Sequence, residues 1–318
     1  MAVVVLWLTA LALLAAVTGR SGHNRQPSAV IVAPPSGQFE ALATRSDAIR
    51  PIYHPRFVSA SRTALLPGDL VIGVAMAEAT RAYPVAYLTE REMVDDAIGH
   101  TPFVVTWCPV CYSAVVFDRR IDGRTYVFGN NSRLYMRNLT MWDHESGSIW
   151  SQLDGTAILG PLMDTRLRML PATLETWRAW RSEHPGTTAL AVPAGFHTVT
   201  TPPFVVGMVV GGASVAFRYG FVKRRGVVDG SVGGRPIVVY AGPGQRIRVF
   251  SRRVAGRVVQ FTLRHGSLVD RLTTTSWDPA TGIGRGGPLA GHALVPLPYA
   301  TAVDWAWEAF HPGMPIVG

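Results

Sequence analysis

Val71-Ile72-Gly73-Val74-Ala75-Met76 reappears downstream as Val205-Val206-Gly207-Met208-Val209-Val210. This echo decides how the chain is divided. Further matches follow in unbroken order. Met93-Val94-Asp95-Asp96 is answered by Val227-Val228-Asp229-Gly230, and Val115-Val116-Phe117 by Arg248-Val249-Phe250. Trp142-Asp143 pairs with Trp277-Asp278, Gly147 with Gly282, and Gly160-Pro161-Leu162 with Gly287-Pro288-Leu289. Trp177 and Trp180 align with Trp305 and Trp307, and His184-Pro185-Gly186 with His311-Pro312-Gly313. A slowly drifting offset of this kind is the mark of internal duplication. The chain therefore reads as two tandem copies of one unit, over residues 46–192 and 200–318. The competing reading is a single β domain with an accidental echo.

Each copy opens on an alternating strand pair, Leu70 to Met76 and Arg81 to Val85. A short helix follows around Leu88 to Val94, then a strand from Pro102 to Trp107. Asp122-Gly123 supplies a hairpin turn. Short strands run through Leu139–Asp143, Ser148–Ser151 and Thr156–Leu159. An amphipathic helix from about Ala172 to Glu183, with Leu174, Trp177 and Trp180 on one face, is ended by Pro185-Gly186. The expected class is α+β: two copies of a mainly antiparallel β unit, each ending in an amphipathic helix.

The duplication acts as an internal control. Features in both copies serve the fold, and features in one copy are candidates for chemistry. Phe103-Val104-Val105-Thr106-Trp107-Cys108-Pro109-Val110-Cys111 holds the chain's 2 cysteines, and the second copy has none. Their places there fall near Ala241 and Gly244. A four-residue disulfide ring contributes only about 2 kcal/mol before strain. Two thiols at this spacing suit a redox dithiol, in which one sulfur resolves a mixed disulfide formed by the other. Cys108, beside Trp107, reads as the more accessible thiol and Cys111 as its partner. The residues after Cys111 have a strand pattern, so a thioredoxin-type helix after the motif is not expected. The same pair could hold a soft metal ion such as copper, with Met141 and His144 as further ligands. The alternative is a non-catalytic binding or interaction module with a structural disulfide.

The formal charge is +9. The basic residues are scattered, Lys223 is the sole lysine, and no nucleic-acid motif accompanies them, so a nucleic-acid partner is not expected. Residues 1–20 carry an apolar run that fits a signal peptide or membrane anchor. Residues 21–45 read as a flexible tether, and the protein is expected to be exported, extracytoplasmic or held at a membrane. No phosphate-binding Gly loop, Gly-x-Ser-x-Gly elbow or His-Glu-x-x-His helix occurs.

Val105-Thr106-Trp107-Cys108-Pro109-Val110-Cys111, Phe117-Asp118-Arg119, Phe128-Gly129, Leu134-Tyr135, Asn138-Leu139, Met141-Trp142-Asp143 and Gly147-Ser148-Ile149-Trp150-Ser151-Gln152 carry a family resemblance. With Gly160-Pro161-Leu162 and the upstream Arg45–Ile52 segment, they resemble the bacterial and archaeal domain-of-unknown-function family numbered 3179. The resemblance covers most of residues 45–190 and implies a fold neighbourhood but no reaction. Tyr112 and His144 depart from the residues expected there, a small one and a different polar one.

Overall fold

Gly73 and Gly207 explain why the opening echo contains a glycine. A methyl group at Gly73 would collide with the Trp180 ring, and one at Gly207 with the Trp307 ring. Each glycine lets a strand pass directly beneath a buried indole, and the two contacts are equivalent. The computed structural model describes residues 39–41, 45–197 and 200–318.

In the first copy, Leu70–Ala75 pairs antiparallel with Thr80–Pro84 and with Thr173–Thr176. Thr188–Leu190 joins parallel to Thr80–Pro84, and Phe57–Ser59 closes the sheet. The second copy repeats this order with Ala300–Ala302, Val205–Val210, Ala213–Arg218 and Ile316–Val317, again with the last strand parallel. A three-stranded meander follows in each: Met93–Ile98, Thr101–Cys108 and Ser113–Asp118, then Val227–Val232, Arg235–Gly242 and Arg246–Ser251. Asp122 and Gly123 both have positive φ, as a two-residue hairpin turn requires, and join Arg120–Ile121 to Arg124–Thr125.

The expected α+β class is overturned. The described residues are mostly β, with 46% strand and 11% helix in many small sheets. The four α-helices among the described residues have seven residues each. Two turns cannot form a layer, so the cores are built by sheets. The apolar stretch from Ala172 begins as a strand, because Thr173–Thr176 pairs with Leu70–Gly73. The helix is confined to Trp177–Glu183, and the Thr176 hydroxyl caps it by accepting from the Ala179 N–H. Leu174, Trp177 and Trp180 are buried as expected, but Leu174 lies on the strand. Neither copy ends in its helix: Thr188–Leu190 and Ile316–Val317 come after.

Strand register also corrects one pair of echoes. Trp150 pairs with Met141 and Trp277 with Leu268, so Trp150, not Trp142, is the counterpart of Trp277. Gly155 lies against Phe117 as Gly282 lies against Phe250, which replaces the Gly147–Gly282 match. Asp143 corresponds to Asp270, each accepting bonds from the turn that follows it.

The described residues pack as one unit, and the largest core draws on both copies. Phe103, Val105 and Trp107 face that shared core, beside Phe204, Val206, Phe217 and Val239. Val104 and Cys108 face a second cluster containing Cys111, Met141 and Trp150. A strand buried on both faces reads as continuous apolar sequence, which is why Phe103 to Cys108 shows no alternation.

The signal-peptide or anchor reading of residues 1–20 lies outside the described residues. So does most of the 21–45 tether, within which Phe39–Ala41 pairs antiparallel with Arg133–Tyr135. Among the described residues no helix is long and apolar enough to cross a membrane.

Candidate functional site

Cys108 ends the Thr101–Cys108 strand, and a tight connection returns the chain at Ser113. Tyr112 takes a positive φ of 53° to make that return, as Gln245 does with 58° in the second copy. The second connection is one residue shorter. Its register places Gly242 opposite Arg246 as Cys108 stands opposite Ser113, so Gly242 is the counterpart of Cys108, one residue beyond Ala241. Gly244 stands where Cys111 does.

Both thiols are free and buried, Cys108 at 1% and Cys111 at 0% exposure. Neither is the accessible one. The Cys111 thiol lies 4.0 Å from the Cys108 carbonyl oxygen, to which it can donate. The Asn138 side-chain amide donates to the Cys111 sulfur at 2.8 Å. Its orientation is fixed, because Asn138 Oδ1 accepts from Leu153 N. Ser113 Oγ lies 3.3 Å from the Cys111 sulfur. A hydroxyl has one proton to give, and Gln152 Oε1 holds that of Ser113 at 2.6 Å. Gln152 in turn donates to Thr106 Oγ1 at 2.9 Å.

These bonds set the two sulfurs apart. Burial pushes the Cys108 thiol well above its ordinary value, and its neighbour Cys111 adds to the rise. Burial also pushes Cys111 up, but its neighbour Cys108 and the polar groups of Ser113 and Asn138 outweigh burial and bring it below the ordinary thiol value. A proton that leaves this pair therefore leaves Cys111.

The cradle belongs to the first copy. The Phe128–Asp143 hairpin corresponds to the much shorter Phe261–Asp270, which has Leu263 in place of Asn130 and lacks the extension carrying Asn138. In the second copy Arg246 stands at the place of Ser113 and Tyr240 at that of Thr106. Sequence reasoning missed Thr106, Ser113, Asn138 and Gln152 as site residues. The signal was present: all four are polar residues in otherwise apolar or strand-forming runs, and all are fully buried.

The structure brings Met141 into the cluster that holds both cysteines. It places His144 elsewhere. That ring stacks on Trp142 with centroids 4.3 Å apart, and its Nε2 lies 3.1 Å from the Tyr53 hydroxyl. Tyr53 donates to Asp47 at 2.7 Å. Among the described residues no group of three or more His, Cys, Asp or Glu gathers where it could hold a metal ion. Tyr112 packs into the shared core between Trp107 and Phe204, not over the thiols.

The second copy seals the site. Val303 N donates to Cys111 O at 2.9 Å, Thr301 Oγ1 donates to Tyr112 O at 2.9 Å, and Ala114 N donates to Thr301 Oγ1 at 3.1 Å. Ala300, Ala302, Ala306 and Trp307 complete the cluster around the two sulfurs. A second buried group specific to the first copy is Glu92, bonded by the Asn130 amide. Burial raises its carboxyl to about 7 despite that bond.

No match to the chain is found among curated proteins or among solved structures. The family model described as Protein of unknown function (DUF3179) matches residues 46–204 and again residues 197–314. The two matches fall on the two copies traced by strand order, and the chain belongs to that family, whose unit it carries twice.

Proposed function

We propose that Cys108 and Cys111 form a buried dithiol–disulfide couple, with the Cys111 thiolate as the attacking sulfur. The observation that carries this reading is the Asn138 amide on the Cys111 sulfur, supplied by a hairpin extension the second copy lacks. A fold-only role for the cysteines gives no reason for an added donor aimed at one sulfur. The lowered Cys111 and raised Cys108 then fall into the roles of attacker and resolver.

The reaction runs with a small organic disulfide as electron acceptor. Cys111 thiolate attacks one of its sulfurs, the acceptor's S–S bond breaks, and one thiolate leaves. Cys108 then attacks the Cys111 sulfur of the mixed disulfide, and the second departing thiolate takes the Cys108 proton. Two electrons pass from the cysteines to the acceptor, which ends as two thiols. Burial of both sulfurs restricts the acceptor to small molecules or to a transiently opened protein. The apolar N-terminal run supports action outside the cytoplasm, where the couple stays reduced only if a reductant serves it.

The test is equilibration of the full chain in buffers of oxidised and reduced glutathione, with thiols counted after acid quench. The expected result is reversible loss of two thiols together. The pH midpoint for alkylation of Cys111 is expected below the ordinary thiol range and should move up in Asn138→Ala. A thiol pair that never oxidises reversibly, or a midpoint unmoved by Asn138→Ala, removes the proposal. Metal analysis of the same samples checks the soft-metal reading, whose support is the presence of Met141 in the cluster.

A further inference from the structure

The same internal control exposes a second difference, on the opposite side of the bookkeeping between copies. In the first copy Asp118 is a buried carboxylate held by two arginines. Arg120 reaches it at 2.8 Å and Arg168 at 2.5 Å. Burial alone would raise that carboxyl, and the two guanidiniums bring it down to about 2.

The register fixes the counterparts. Asp118 N donates to Arg168 O, and Ser251 N donates to Val295 O. Arg120 N donates to Asp118 Oδ1, and Arg253 N donates to Ser251 Oγ. Ser251 therefore stands in place of Asp118, Val295 in place of Arg168, and Arg253 in place of Arg120. The carboxylate has gone and one arginine remains. Arg253 has no side-chain ion pair or hydrogen bond among the described residues. A further arginine has been added: Arg235 occupies the position of Thr101 and is likewise without a side-chain partner among the described residues.

These residues line a cavity of about 530 Å³ in the second copy. Arg235, Arg253 and Ser251 supply its polar side, and Val210, Val295 and Leu297 its apolar side. Among the described residues that line it none is acidic. The volume lies within the range of small-molecule sites, and the mixed lining matches their usual composition. A guanidinium released from an internal carboxylate can donate to an external oxyanion with the same fork geometry. Two such groups with no counter-charge in the wall match a doubly charged head, and the apolar wall matches a short hydrocarbon body.

We propose that the second copy binds a small organic phosphate monoester, its phosphate held by Arg235, Arg253 and the Ser251 hydroxyl and its apolar body lying on Val210, Val295 and Leu297. The inference does not depend on the thiol chemistry and can fail or hold by itself.

Calorimetric titration of the full chain with hexyl phosphate tests it, beside inorganic phosphate, hexanol and vesicles containing phosphatidic acid. Saturable 1:1 binding of hexyl phosphate is expected, tighter than that of inorganic phosphate, with none for hexanol. Ser251→Asp restores the ion pair of the first copy and should weaken binding about tenfold or more, the effect of one lost charge-assisted contact with repulsion added. Arg235→Ala, an exposed change that leaves the fold alone, should weaken it similarly. Absence of saturable hexyl phosphate binding overturns the proposal, as does binding unchanged by Ser251→Asp and Arg235→Ala. Equal affinity for inorganic phosphate removes the role of the apolar wall. Capture by vesicles without binding of soluble hexyl phosphate overturns the soluble ligand in favour of a membrane surface.

Discussion

Glu92 shows what a single buried carboxyl does to the pH response. It stands at a left-handed position, φ 58°, after the Val85–Arg91 helix. Burial raises it from 4.5 to about 7 in the folded chain. A carboxyl raised on folding favours the folded state while protonated. Its contribution is full below the unfolded value and is lost as pH rises through the folded one. Glu92→Gln should therefore flatten the fall in urea midpoint between pH 4.5 and about 7. Asp95, also raised to about 7 by burial, stays in both proteins and cancels in the comparison. Parallel pH profiles for wild type and variant would remove Glu92 from this role. Cys108 and Cys111 were legible in the sequence because they are a pair at fixed spacing in one copy only. Asn138 and Gln152 were not, because a buried amide and an exposed one are written with the same letter. Only the strand register tells which sulfur or carbonyl it meets.

At the scale of elements, the strand–indole contact is the sharpest case. Trp180→Ala empties a fully buried site and should cost about 3–5 kcal/mol. Gly73→Ala pushes a methyl into the same ring and should cost about 1–3 kcal/mol. In the Trp180→Ala background the Gly73→Ala change should cost clearly less, since the ring is gone and only the tight contact with the Thr173 methyl remains. Additive losses in chemical denaturation would show that the two do not meet. The tandem echo was legible because it lies in continuous strands with one glycine each. The helix at Ala172 was over-read. Its apolar spacing serves a helix or a buried strand equally, and pairing of Thr173–Thr176 with Leu70–Gly73 decided for the strand. The second copy's sheet meets this strand through an ion-pair group. Arg248 reaches Glu175 at 2.8 Å and Glu183 at 2.5 Å, and Arg246 pairs with Glu183. Arg248→Met would leave Glu175 buried with less charge compensation and should cost about 3–5 kcal/mol, read from denaturant midpoints.

For the whole molecule, the copies are reciprocal. Thr173–Thr176 of the first lies against Arg246–Ser251 of the second, and Ala300–Ala302 of the second lies against Ser113–Asp118 of the first. Their apolar faces form one core. The full chain should melt in a single cooperative transition, and residues 46–197 made alone should lack one. Two resolved transitions in calorimetry, or a sharp melt of the isolated first copy, would contradict this. Two copies could be read from the sequence, but a shared core could not. Internal repetition reports the order of elements along the chain, whereas their mutual burial depends on which faces turn towards each other.

That reciprocity has a consequence in time. The segment that closes over Cys111 is made after the whole first copy and after most of the second copy's strands. Until Val303 is made, the first copy's thiols lack the part of their cover that the second copy supplies, and during synthesis they are more open to a reagent than in the finished protein. A chain stalled just before Ala300 should be labelled by a maleimide at Cys111 within the time that leaves the finished protein untouched. The order of synthesis thus gives the cysteines an interval of greater access, and a reagent that sets their first oxidation state would act before Val303 is in place.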